Sequence, residues 1–168
     1  MIPDLTADDV VTLLGLEPLV GEGGYFRQTY LATGDGWSTT AIVYLVTPES
    51  FSSLHLLTGD ELFHFYLGDA CEMVTFRDGE APATTVLGQD LHAGQVIQTL
   101  VPAGTWQGTR LKEGGRWALL GTTMTPGFDP AGFTSADERV LEGLSVPDAA
   151  YVRGYLLTED RIGSDRSA

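Results

Sequence analysis

A chain of 168 residues, 43% hydrophobic and 19% charged, is long enough to bury a core and too short for two independent domains, so one domain over residues 1–168 is expected. Its 21 glycines and 8 prolines fit many short strands joined by tight turns better than a helical bundle. Nine basic residues against 23 acidic ones give a net charge of -14, which repels a phosphate backbone and argues against nucleic acid as a partner.

The first predicted element is a short helix. Thr6-Ala7-Asp8-Asp9 has the form of a capping box, with an acid three residues after a hydroxyl, and it leads into the apolar run Val10 to Leu14 before Gly15 and Pro18 end it. From Gly24 onward strand signals dominate: Tyr25 to Leu31, Thr39 to Val46, Ser53 to Leu57, Glu61 to Leu67, Met73 to Arg77 and Thr84 to Leu87. They continue through Val96 to Val101, Thr105 to Leu111 and Trp117 to Thr125, separated by Gly-Asp, Asp-Gly, Pro-Ala-Gly and Glu-Gly-Gly punctuation. Short strands at this spacing without intervening helices predict an antiparallel sandwich or barrel, with its core at about 22–128.

The single cysteine, Cys71, cannot form an internal disulfide and sits in an apolar stretch, where it reads as a small core residue. After Pro126-Gly127, Ser135-Ala136-Asp137-Glu138 followed by Val140, Leu141 and Leu144 predicts a second short amphipathic helix, and the polar stretch Arg161 to Ala168 is expected to fray. The first residues lack the basic start and apolar run of a signal peptide. Nothing approaches the roughly 20 apolar residues of a membrane helix. A cytoplasmic protein with no membrane partner is expected.

The segment His55-Leu-Leu-Thr-Gly-Asp-Glu61-Leu-Phe-His64-Phe-Tyr66-Leu-Gly68 resembles the first motif of the cupin superfamily, in which alternating histidines and a carboxylate lie across a hairpin. Residues two apart on a strand share a face, so such a set can converge on one metal inside a barrel. His55, Glu61 and Gly68 fall on the first His, the carboxylate and the closing turn, but Leu57 stands at the second His position. Gly94 to Gln107 resembles the second motif, with Gln107 where the third His of metal-binding cupins falls. A neutral amide is a poor transition-metal ligand beside imidazole. No cofactor is therefore expected; a divalent metal, if bound, would have to be held by His55, Glu61, His64 and Gln107.

Two further segments, Glu22-Gly-Gly-Tyr25-Phe26-Arg27-Gln-Thr-Tyr30 and Thr125-Pro126-Gly127-Phe128-Asp129, are together with Gln98 and Trp106-Gln107 similar to a cupin subfamily catalogued as a domain of unknown function. The likeness runs over roughly residues 8 to 157. It implies an all-β double-stranded β-helix, the cupin jelly roll, as a homodimer with a small-molecule pocket at one mouth. Its fold would be similar to that of the dTDP-sugar 3,5-epimerases, whose activity does not follow from fold alone.

Within that frame His55 and Glu61 are the candidate catalytic pair. A carboxylate beside imidazole raises the basicity of the ring and fixes its tautomer, and proton abstraction next to a carbonyl is the natural reaction, as in an isomerase or epimerase. Two alternatives stand beside it: a metabolite-binding module without catalysis, and a metal-dependent, dioxygenase-like cupin with an incomplete ligand set. If Glu61 faces inward, alternation carries Phe63 and Phe65 inward and His64 and Tyr66 outward unless a bulge intervenes. The candidate ligand contacts are Tyr25, Arg27, Tyr44, Phe63, Gln98, Trp106 and Gln107. On the face shared with Tyr25, Arg27 would offer a cationic fork to a carboxylate or phosphate. Gln98 stands among apolar neighbours where its amide needs partners, and Trp106 would form a flat wall. His92 reads as a solvated loop residue.

Overall fold

The computed structural model describes residues 5–158. Helix α1, Ala7–Leu14, starts at the predicted capping box: the Asp9 amide donates to the Thr6 hydroxyl at 3.2 Å and the Thr6 amide donates to the Asp9 carboxylate at 2.9 Å. Replacing Thr6 by alanine leaves those helix-end donors to water, and about 1 kcal/mol of stability should be lost. Thermal unfolding of Thr6→Ala checks this, with a fall in Tm of about 2–4 °C expected.

Eleven strands follow: β1 (Glu17–Pro18), β2 (Tyr25–Gly34), β3 (Trp37–Val46), β4 (Ser52–Leu57), β5 (Glu61–Gly68), β6 (Cys71–Phe76), β7 (Ala83–Leu87), β8 (Gln98–Val101), β9 (Trp106–Leu111), β10 (Ala118–Met124) and β11 (Phe133–Ser135). The nine predicted strands correspond to β2 through β10; β1 and β11 are short additions at one edge of each sheet. One antiparallel sheet has the order β1-β2-β3-β10-β5-β8 and the other β11-β4-β9-β6-β7. The chain changes sheet at every connection from β3 to β6 and again at every connection from β7 to β11, which is the connectivity of a jelly roll.

Both sheets are amphipathic on the inside, so their facing side chains make the main core. Tyr44, Val46, Phe65 and Leu120 from one meet Cys71, Met73, Leu87 and Leu111 from the other. Burial pushes the Cys71 thiol far above its usual range, which suits a core residue and not a nucleophile. The outer faces are covered as well. Val10 and Leu16 around α1 pack on Leu45, Trp117 and Leu119, and Leu141, Val152, Tyr155 and Leu156 pack on Leu54, Val74 and Phe76.

The second helix lies elsewhere than expected. Residues 135–144 supply the end of β11 and a single 3-10 turn, Glu138–Leu141, and the helix proper, α2, is Val146–Arg153. Gly143, at φ 88, breaks the apolar pattern, and the true start signal is Ser145-Val146-Pro147-Asp148, in which the Ser145 hydroxyl accepts from the Asp148 amide. The predicted fraying of Arg161 to Ala168 lies outside the described residues.

Candidate functional site

β4 and β5 are consecutive in the chain and joined only by Thr58-Gly59-Asp60, yet they belong to opposite sheets, so each offers one inward face to the same interior. On β4 that face carries His55, 2% exposed; on β5 it carries Glu61, 7% exposed. Between them stands Gln107 of β9, paired in register with His55, whose amide Nε2 donates to Glu61 Oε2 at 2.7 Å. His55 Nδ1 lies 2.8 Å from the Ser53 carbonyl. A carbonyl only accepts, so in the neutral ring Nδ1 carries the hydrogen and Nε2 keeps a lone pair. The ring stacks on Phe133 with centroids 5.2 Å apart. Glu22 completes the group: its Oε1 accepts from the Ser52 hydroxyl at 2.7 Å and lies 3.9 Å from His55 Nδ1.

A cavity of about 320 Å³ opens beside this cluster. Phe26, Ile42, Leu57, Phe63, Met124, Phe128 and Phe133 give it apolar walls, while Glu22, Gln28, Thr40, Tyr44, Glu61 and Thr122 supply its polar lining. Burial drives the Glu61 carboxyl above the usual range; nearby Glu22 reinforces the shift, and His55 and hydrogen bonds from Thr122 and Gln107 only partly offset it. Tyr44 is a structural wall: its hydroxyl donates to the Gly23 carbonyl at 2.6 Å, and burial and Glu22 keep the phenol protonated. The Gln107 Oε1 is buried and has no hydrogen-bond partner.

Residues 8–136 match the family described as Cupin superfamily (DUF985). The chain belongs to the cupins. None of the curated proteins matches this cupin. Among solved structures, a protein from Shewanella oneidensis is similar with TM-score 0.82 and 29% identity, over 92% of this chain and 99% of that one. A hypothetical protein from Leishmania major is similar with TM-score 0.78 and 24% identity, over 92% of this chain and 100% of that one. The oxalate decarboxylase of Bacillus subtilis shares the fold at TM-score 0.54 and 12% identity, over 86% of this chain and only 36% of the enzyme.

In this cupin the structure brings together His55, Glu61, Phe63, Tyr44 and Gln107 on the inward faces, but His55 and Gln107 stand behind the cavity wall and only Tyr44, Glu61 and Phe63 form it. Five expected site residues lie elsewhere. Phe26 and Gln28 take the inward face of β2, so Tyr25 packs toward α1 and Arg27 is exposed on the outer face. His64 also points outward, because the bulge on β5 falls beyond it, opposite Leu119/Leu120, and leaves the alternation from Glu61 to Phe65 intact. There His64 Nδ1 meets the Gln98 amide at 3.0 Å and Nε2 meets the Thr123 hydroxyl at 3.1 Å, so Gln98 is an exposed surface partner and not a buried ligand contact. Trp106 is adjacent to inward Gln107 and therefore faces out; it packs against the C-terminal layer and donates to Asp78 at 3.0 Å.

These positions also decide how well a transition metal fits. With His64 on the outside, Leu57 at the second His position and a neutral amide, Gln107, at the third, no group of three or more His, Cys, Asp or Glu among the described residues is arranged to hold an ion. The donor set does not suit the metal of other cupins.

Glu22, Gln28, Thr122, Phe128 and Phe133 are wall residues that the sequence reading did not single out. Glu22 and Phe128 lie inside segments that carried the family resemblance, which was the available signal. Nothing local marks Thr122 or Phe133.

Proposed function

We propose that this cupin is a small-molecule enzyme that moves a proton within its cavity, an isomerase-type reaction at carbon next to a carbonyl, with Glu61 as the group that touches the substrate. The observation that carries the reading is a buried carboxyl, held above its usual range, in the wall of a largely apolar cavity. Burial that raises the carboxyl makes its carboxylate a stronger base than a free one, which suits a group that takes a proton from carbon. Gln107 fixes one of its oxygens, and His55, paired in register with Gln107, acts as a positioning residue.

The test is hydrogen exchange into a panel of small ketones and aldehydes in heavy water, followed by loss of the α-proton signal. At least one compound should exchange faster than in buffer, and Glu61→Gln should slow that exchange by about 10²–10⁴-fold. A panel in which nothing exceeds the buffer rate would sink the proposal. Binding without turnover is the second reading, favoured by the commitment of the Tyr44 hydroxyl to Gly23, which leaves no tyrosine acid facing Glu61. Under that reading a bound compound is recovered with its protons unexchanged.

A further inference from the structure

We infer that the cavity takes an organic cation: a small molecule with an apolar body and a protonated amine or quaternary ammonium group. The inference rests on the reading of the cavity as the ligand site, and it names the class of molecule.

Charge is the first argument. Among the described residues two carboxylates, Glu22 and Glu61, line the cavity and no lysine or arginine does. Arg27, the one cation near it in sequence, is exposed on the other face of β2. An anion would meet two like charges in a poorly hydrated space, with no fork to receive it. The chain's net charge of -14 adds a field that concentrates cations at the mouth and depletes anions.

Hydrogen bonding points the same way. Glu61 and Glu22 line the cavity and, when ionised, only accept hydrogen bonds. The Tyr44 hydroxyl is already given to Gly23. The two carboxylates thus offer only acceptors when ionised, and an ammonium group brings the donors they take. Phe26, Phe63 and Phe133 supply ring faces of the kind that attract organic cations. A volume of about 320 Å³ sits at the small end of ligand cavities. A nucleotide-linked sugar, with its diphosphate, is the wrong charge for this lining.

Three probes of one shape and different charge test the inference: benzylamine, benzyl alcohol and benzoate, titrated calorimetrically into the intact protein at low salt. Benzylamine should bind at least about tenfold tighter than benzyl alcohol, benzoate should not bind, and added salt should weaken only the amine. In Glu22→Gln, which keeps an acceptor for Ser52, the preference for the amine should shrink severalfold while benzyl alcohol binds as before; its thermal melt shows whether it is folded. Benzoate or benzyl alcohol binding as tightly as the amine overturns the inference and leaves the ligand-site reading standing. If none of the three binds at millimolar concentration to the folded wild-type protein, the ligand-site reading falls and the inference with it.

Discussion

Exchanging Glu61 for glutamine is expected to slow proton transfer in the cavity by about 10²–10⁴-fold and, at the same time, to make the protein melt at a higher temperature at about pH 8. The carboxyl is held above its unfolded value by burial, so between the two values the folded chain binds more protons than the unfolded one. Stability therefore declines as pH rises through that window, and above it the ionised, desolvated Glu61 is a net cost to folding. Glutamine cannot ionise, still accepts from Gln107, and adds N–H donors close to the unpartnered Gln107 Oε1. The gain in Tm over wild type should be present at about pH 8 and vanish near about pH 3, where Glu61 is protonated in folded and unfolded chains alike. Melting curves across pH decide it: a Glu61→Gln protein less stable than wild type at pH 8 would show that the carboxylate is more than compensated by its partners.

Gly23→Ala should be the most disruptive single methyl in the pocket lip. Gly23 has φ 103, in the region that costs an L-residue roughly 1–2 kcal/mol, and a Cβ there would lie 2.3 Å from the Phe51 carbonyl oxygen. Backbone cannot yield as a flexible side chain does, and overpacking adds roughly 1–3 kcal/mol. Together these predict a fall in Tm on the order of 10 °C. Gly21 is the internal control, because it has φ 89 but open space around it, so Gly21→Ala should show only the smaller, conformational part. Equal losses in the two variants would remove the steric argument. Since the Gly23 carbonyl anchors Tyr44 and Gly23 adjoins Glu22, ligand affinity should fall with stability in Gly23→Ala and hold in Gly21→Ala.

The strands were legible because turn residues mark their ends and β-branched and aromatic residues fill them; β2 through β10 could be placed from that alone. Alternation along β5 likewise separated Glu61 and Phe63 from His64. What periodicity cannot say is which of two faces is the inner one when both carry aromatic or apolar residues. Tyr25 and Phe26 are adjacent and both aromatic, so the face of β2, and with it the placing of Arg27, was a matter of parity that only the packed α1 resolves. Trp106 and Gln107 were both assigned to the pocket although neighbours on a strand cannot share a face; the indole left for the outer layer. Gln98 was read as buried because its neighbours are apolar, but β8 is an edge strand with little above it. Thr122 and Phe133 reach the cavity through long-range pairing, which leaves no trace in a short window of sequence.

The separation of β4 from β5 into opposite sheets bears on how such a site can change. The imidazole and the acid face one another across a seam and not along a ribbon, so no ladder of amides sets the gap between them. Away from the short Thr58-Gly59-Asp60 turn, the separation of the two strands is a thickness filled by interlayer side chains such as Met73 and Leu120. Substitutions in the filling, remote from any reacting atom, thereby become the means by which relatives of one architecture can retune the same pair of groups.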